Sequence, residues 1–281
     1  MPCAVNCYCW VLLKVRAIIF LTLLSLSFFD QSVLHATEES CAPVLSSDNT
    51  LSEAQRVVAE SEWRRAIDQD KVEDIKRLLS KVDVNITNDK GKTALMAAVK
   101  VGDHCLFQEL LQRGLKITDR GYTGGTALMY AVLGNQSAMI DLILSNKTDV
   151  NAQSTNGWTA VMIAAAKGFD SAISALHEAG ADLDLADVYG WTPLMRAIDN
   201  RHSGVVEYLL SQPDIDLHRT NENGSIALHI AVQTGNGSAV SRLLQLGSPT
   251  DVRDKNGYTA AGIAKKNNQV DIAREILQSE K

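Results

Sequence analysis

Ser154-Thr155-Asn156-Gly157-Trp158-Thr159-Ala160-Val161-Met162-Ile163-Ala164-Ala165-Ala166-Lys167-Gly168 decides how this chain folds. Ser154 to Gly157 has turn chemistry, and Gly157 can take a positive φ without steric cost. Thr159 stands where an N-cap is needed, just ahead of an apolar run, and such a cap contributes roughly 1 kcal/mol. Val161, Met162, Ala164 and Ala165 recur at helical spacing, and Gly168 stops this short helix in the left-handed cap position. Asp170 is expected to cap a second helix that carries Ile173, Leu176 and Ala179 and stops at Gly180. Ala181-Asp182-Leu183-Asp184 leads out to the next turn. The unit reads turn, helix, turn, helix, loop.

The pattern recurs. Gly91, Gly124, Gly157, Gly190, Gly224 and Gly257 each open it, spaced 33, 33, 33, 34 and 33 residues apart. A fixed period in this range means stacked repeats, and a stack builds a long surface, not one deep pocket. Ala97-Ala98, Ala131, Ala164-Ala165, Ala197, Ala231 and Ala264 leave little side chain between adjacent first helices, so backbones can approach. A unit of about 33 residues cannot bury its apolar face alone, so its neighbours supply the other wall. A seventh unit without a finger precedes the six. Ser61-Glu62-Trp63 and Ile67 align with a first helix, and Val72, Ile75, Leu78 and Leu79 with a second. Its charged residues make one strongly polar face, as a terminal repeat requires, and Lys265-Lys266-Asn267-Asn268-Gln269 is polar at the other end.

Gly190-Trp191-Thr192-Pro193-Leu194-Met195 resembles the G-x-T-P-L-H signature of ankyrin repeats. Leu209-Leu210 with Asp216-Leu217, and Asp83-Val84-Asn85 and Asp149-Val150-Asn151, resemble the tail of that repeat. The resemblance runs from about Arg56 to Lys281. It implies an all-α solenoid of about six to seven helix-turn-helix units with β-turn fingers. The units fall near 56–88, 89–119, 120–153, 154–186, 187–219, 220–253 and 254–281. Departures are informative. The signature His is Met in four units and survives as His229, so Met packing is expected to replace its hydrogen bonds. Asn135, Arg201 and Asn268 fill the glycine slot after a first helix, and a strained or altered turn is expected at Arg201. Pro213 marks the unit with one extra residue.

The first 36 residues differ in composition. Lys14 and Arg16 precede 13 uncharged residues, Ala17 to Phe29, and Ala36 offers a small residue for cleavage. A basic start, a short apolar run and a small residue describe a secretory signal peptide. The run is short for a spanning helix, which needs about 20 apolar residues; an uncleaved signal anchor is the alternative. Residues 37–55 form a polar linker without fixed structure until a helix containing Glu53 to Glu60. Cys3, Cys7 and Cys9 lie in the leader, which leaves Cys41 and Cys105. A disulfide between these two stays open but is not the expectation, since the core comes from stacking.

The chain has 27 basic and 33 acidic residues, and without the first 36 residues 25 and 32, a net of −7. No basic stripe suggests nucleic acid, and the acidic balance gives no attraction to an anionic membrane surface. The six histidines, at 35, 104, 177, 202, 218 and 229, are scattered, and no familiar catalytic, phosphate-binding or metal motif occurs. Asp214 and Asp216 read as loop surface. No catalytic, metal or cofactor residue is expected; an enzyme with an unrecognised site is a remote alternative. Five glycosylation sequons, at Asn85, Asn135, Asn146, Asn223 and Asn236, fall partly in tight turn slots. They favour an exported bacterial protein over a glycosylated one.

In the ankyrin family, partners dock on the concave side, made of finger tips and first helices. The resemblance places Lys90, Lys92, Tyr122, Trp158, Val188, Tyr189, Trp191 and Tyr258 at or beside the tips. It places Tyr130 and Arg196 in the helix slot where Ala97, Ile163, Ile230 and Ile263 stand elsewhere. Trp158, Tyr189 and Trp191 form a central aromatic group of the kind enriched at interfaces, or they brace the turn bases. Arg196 beside Trp191 suggests a centre that receives an acidic or planar group. The expectation is a monomeric, non-catalytic module, periplasmic or secreted, that binds a protein partner. A membrane-tethered scaffold facing outward is the alternative.

Overall fold

The computed structural model describes residues 51–279. The signal segment, most of the linker and Cys41 lie outside the described residues. Fourteen helices form seven antiparallel pairs: α1 (Glu53–Asp68) with α2 (Val72–Leu78), α3 (Ala94–Val101) with α4 (His104–Gln112), and α5 (Ala127–Leu133) with α6 (Ser137–Ser145). They continue with α7 (Ala160–Lys167) and α8 (Asp170–Glu178), α9 (Pro193–Asp199) and α10 (Ser203–Leu210), α11 (Ala227–Gln233) and α12 (Gly237–Gln245), and α13 (Ala260–Lys266) and α14 (Val270–Ser279). No strand is formed among the described residues.

Each first helix packs on the next first helix, and second helices on second helices, in a two-layer stack. The first layer is the core. In α3 every residue from Ala94 to Val99 is buried, and Ala131, Ala164, Ala165, Ala197 and Ala264 are fully buried further along. The backbones close as the alanines require. A Cβ on Gly134, at the end of α5, would come within 1.8 Å of the Lys100 carbonyl oxygen at the end of α3. Only glycine fits there. The stack starts at Trp63, which is fully buried and donates its indole N–H to the Ile86 carbonyl at 2.8 Å.

Threonines start the first helices. Thr93, Thr126, Thr159, Thr192 and Thr259 each accept, through Oγ1, the N–H of the residue three positions on, at 3.1–3.3 Å. In the unit of α11 that place is Ile226, which offers no hydroxyl. There the His229 N–H turns to the Ile226 carbonyl at 3.0 Å, and the imidazole makes bonds of its own. Its Nδ1 accepts the Ile226 N–H at 3.4 Å, and its Nε2 lies 3.3 Å from the Tyr258 carbonyl in the next finger. The one unit that keeps the signature His is the one that lacks the Thr cap. Met96, Met129, Met162 and Met195 occupy the same position elsewhere and are buried, as expected of packing substitutes.

Second helices begin with less uniform chemistry. Asp103 and Asn236 cap α4 and α12. Asp170 does not cap α8: Phe169 holds the cap position without a side-chain bond, and Asp170 is the first helical residue. It places a negative charge in the first turn, where the helix dipole favours one, and makes no cap hydrogen bond. Asn135, Arg201 and Asn268 adopt φ of 52°, 61° and 58°, the left-handed conformation of the glycines they replace. The turn at Arg201 keeps its shape and carries the strain of a non-glycine residue at positive φ. Its guanidinium donates to the Thr234 carbonyl in the next unit, a bond that a glycine could not make. Cys105, at the start of α4, is disulfide-bonded.

Two stability tests follow from this packing. Gly157 has φ of 82°, and a Cβ there would lie 2.8 Å from both the Asp187 Cα and the Val188 nitrogen. Gly157→Ala should cost at least about 2 kcal/mol, read by urea denaturation, because neither the backbone nor the neighbouring finger can give way. The second concerns His229. Burial pushes its imidazole below the ordinary 6.5. The unfolded chain then takes up a proton near pH 6.5 that the native state refuses. The stability His229 contributes is complete above that pH and is lost as pH falls through the lower native pKa. His229→Gln should flatten the fall in stability between about pH 7 and 5, and an unchanged slope would assign that fall elsewhere.

Candidate functional site

Every finger is closed by one backbone bond across its base. The Asn88, Gly121, Ser154, Asp187, Asn221 and Asp254 N–H groups donate to the carbonyls of Lys92, Gly125, Trp158, Trp191, Ser225 and Tyr258. The side chains at the first of these positions reinforce the turn. Asn88, Asp187, Asn221 and Asp254 each accept two backbone N–H groups through Oδ1. Three of these, Asp187, Asn221 and Asp254, were not singled out in the sequence, although Asn and Asp at a turn start carry this preference.

Neighbouring fingers are tied to each other. The N–H groups of Tyr122, Thr155, Val188, Glu222 and Lys255 donate to the carbonyls of Lys90, Thr123, Asn156, Tyr189 and Asn223 at 2.7–3.1 Å. The tips thus form one continuous hydrogen-bonded row from the first finger to the sixth. A surface tied in this way is rigid before any partner arrives.

Beneath the middle of the row lies one unit of side chains that no other repeat has. Asp187 is fully buried; its Oδ1 serves the turn and its Oδ2 accepts Arg196 Nη2 at 2.5 Å. The Arg196 guanidinium sits 4.4 Å from the ring centre of Trp191 and 5.1 Å from that of Trp158. Two units are locked together by this arrangement, since Trp158 comes from the finger before α7 and Arg196 from α9.

The family model described as Ankyrin repeats (3 copies) matches residues 64–154, 134–221 and 214–281. The chain belongs to the ankyrin-repeat family. Ankyrin repeats are generally protein–protein interaction modules. No curated protein matches the chain.

Within this ankyrin stack the residues expected at the binding face divide into three kinds. Tyr122, Tyr189 and Tyr258 are exposed at the tips, at 73%, 51% and 40%, and Val188 beside them at 62%. Lys90 is exposed as well and pairs with Asp68 at 3.4 Å. Trp158 and Trp191 are half-buried, with Arg196 between contact and core. Lys92, in contrast, is not a tip contact. It is buried, donates to the Ile67 carbonyl at 2.9 Å and pairs with Asp70, which also holds Lys100 at 2.6 Å. Burial pushes the Lys92 ammonium below its ordinary range even with that carboxylate beside it. Tyr130 lies with its ring centre 5.4 Å from the Lys92 ammonium, and burial raises its phenol above the usual 10.0. Gly125 leaves the room that this ring fills: a Cβ there would meet it at 3.3 Å.

Arg196 also differs from expectation. Its carboxylate partner is already supplied by Asp187, so the central guanidinium is an internal brace and not an open receptor for an acidic group. Asp214 and Asp216 are exposed loop residues, as read from sequence. A groove of about 570 Å³ between α1 and the first finger, lined by Arg64, Arg65 and Lys90 among others, flanks the tip row at its N-terminal end. Among the described residues no group of three or more His, Cys, Asp and Glu side chains is placed to hold a metal ion.

Removing the guanidinium leaves a carboxylate that has no exposure. Arg196→Ala should cost about 2–3 kcal/mol in urea denaturation, at the low end for a broken buried pair because Asp187 keeps its two backbone donors. Asp187→Asn with Arg196→Met should recover part of that loss. A single variant with wild-type stability would show that the pair holds nothing.

Proposed function

We propose that this chain is a non-catalytic binding module that works outside the cytoplasm and captures a protein partner on its finger and first-helix face. One observation carries the reading. Along fingers two to four the exposed tip side chains are Tyr122, Thr123, Thr155, Asn156, Val188 and Tyr189, on a backbone pinned finger to finger. Aromatic and aliphatic groups held rigid in an exposed row bind with little loss of conformational entropy and are the usual anchors of interfaces. Trp158 and Trp191 lie directly below, fixed by Arg196, and present their remaining exposed edges to whatever docks. Charge at the tips themselves stands at the ends of the row, at Asp89, Lys90, Glu222 and Lys255, and the exposed Arg120 beside the second finger is turned to the Gly124 and Gln153 carbonyls. Long-range steering is therefore weak, and affinity rests on contact at the centre.

The export half of the reading rests on Lys14, Arg16, the uncharged run from Ala17 to Phe29, and Ala36, all outside the described residues. The same run supports a second reading, in which an uncleaved anchor tethers the repeats at the membrane. Among the described residues no helix is long and apolar enough to cross a membrane.

Fractionation with N-terminal sequencing separates the two: a mature chain beginning near Thr37 supports the exported module, and an intact start in the membrane fraction supports the tether. Crosslinking and pull-down from the native compartment then supply the partner. Tyr122→Ala with Tyr189→Ala should weaken its binding at least about tenfold, or 1.4 kcal/mol. An affinity unchanged by that pair would remove the finger row from the site.

A further inference from the structure

Finger two breaks a rule that the other fingers keep. In four fingers the side chain at the base, Asn88, Asp187, Asn221 or Asp254, turns Oδ1 into the loop and accepts the N–H groups two and four residues on. Ser154 serves one of the two through Oγ at 3.0 Å. Finger two has Gly121 in that place, which offers no side chain. The corresponding N–H groups, of Thr123 and Gly125, have no acceptor among the described residues. Gly125 is buried, so its N–H is the costlier of the two to leave unmet. Gly125 also strips the loop further, since other fingers carry Lys92, Trp158, Trp191, Ser225 or Tyr258 there. The backbone of this bare loop is nevertheless fixed, through the Tyr122 N–H on one side and the Thr123 carbonyl on the other.

The surroundings hold groups that are not spent. Arg120 directs Nε to the Gly124 carbonyl at 3.3 Å and Nη2 to the Gln153 carbonyl at 2.6 Å, and it has no carboxylate partner among the described residues. Asp119, next to it, is turned to the Lys116 N–H at 3.2 Å. Where Arg196 reaches Asp187 in finger four, α5 offers the half-buried Tyr130, whose hydroxyl makes no hydrogen bond among the described residues. A Cβ on Gly125 would stand 3.8 Å from that hydroxyl.

We propose that finger two binds a carboxylate of the docked partner, one oxygen of which takes the place that Oδ1 of Asp187 or Asp254 has in its own finger. The inference rests on the finger row being the docking face. Two N–H groups that sibling loops direct at one oxygen make a small anion-binding hollow. The Arg120 guanidinium against the same turn selects a charged oxygen over a neutral carbonyl. Neutral donors attract little from a distance, so the site adds selectivity at contact. A Cβ on Gly121 would meet nothing closer than the Lys90 and Gly91 carbonyls at 3.5 Å, and φ there is not positive. Gly121→Asn therefore supplies the oxygen from within, as Asn88 and Asn221 do.

Amide NMR of the full chain, titrated with sodium acetate and with sodium chloride at equal ionic strength, tests this. The expected result is a saturable downfield shift of the Thr123 and Gly125 amide protons with acetate, none with chloride, and a smaller one with acetamide. Gly121→Asn should weaken the acetate response at least about tenfold. Gly121→Ala, which adds no oxygen, should keep it. N-acetyl-aspartate N-methylamide and N-acetylglycine then separate a side-chain carboxylate from a chain end, by which of them shifts the amides at lower concentration. Amides indifferent to acetate, an equal response to chloride or acetamide, or a full response in Gly121→Asn would each overturn the inference. No partner enters this titration. Silent amides therefore leave the finger row standing as the docking face, whereas a partner affinity indifferent to Tyr122→Ala with Tyr189→Ala removes the row and not the carboxylate site.

Discussion

The approach of one first helix to the next sets the terms for everything else in the structure. Between neighbouring first helices stand mostly alanines, and at Gly134 not even a Cβ separates one backbone from the Lys100 carbonyl of the unit before. Such closeness leaves no freedom in how a unit sits on its predecessor. The finger that rises from each first helix is placed with the same accuracy, which is why five successive backbone bonds can link six tips. Packing at alanine positions deep in the stack is thus what makes the tip row a single surface. Loosening of the stack would uncouple fingers before it unfolded any helix.

How much of this could be read in advance follows from what a period encodes. A repeat fixes the place of a residue within its unit. That is why the threonine caps, the buried methionines and the left-handed Asn135 and Asn268 were legible. A period does not say which side chain of the next unit a residue meets. Lys92 and Trp158 hold the same place in their units, but Lys92 faces Asp70 of the finger-less unit and Trp158 faces Arg196. One became a buried ion pair and the other a half-exposed brace. Asp187 was hidden for the same reason. Its turn-forming role is shared with Asn88, Asn221 and Asp254, and its second role exists only because one unit has Arg where others have Ala, Ile or Tyr.

The buried pair below the tips bears on how the proposed binding surface would discriminate. An arginine left free among two indoles would draw acidic groups from a distance. Satisfying it from within removes that pull and keeps the shape. The indoles are then held at fixed angles by a planar cation that is itself held by a carboxylate with no exposure. Breaking this arrangement costs stability, so the fold and the shape of the surface are selected together. A surface that recognises by fit and not by charge loses much of its selectivity when its shape relaxes, and Arg196 is the residue that links the two.

The exchange at α11 shows the same economy from the other side. A threonine cap accepts the N–H three residues on, so its loss touches the His229 N–H, which turns to the Ile226 carbonyl at 3.0 Å. The imidazole makes different bonds: one ring nitrogen accepts the Ile226 N–H, deep in the stack, while the other reaches the finger beyond. An unmet buried donor costs about 1–3 kcal/mol, and a methionine in that place could fill the space but not accept the hydrogen bond strongly. The histidine therefore secures the start of α11 through its ring, by other donors than the hydroxyl serves in neighbouring units, and a departure from a repeat's pattern is best read together with the residue three places before it.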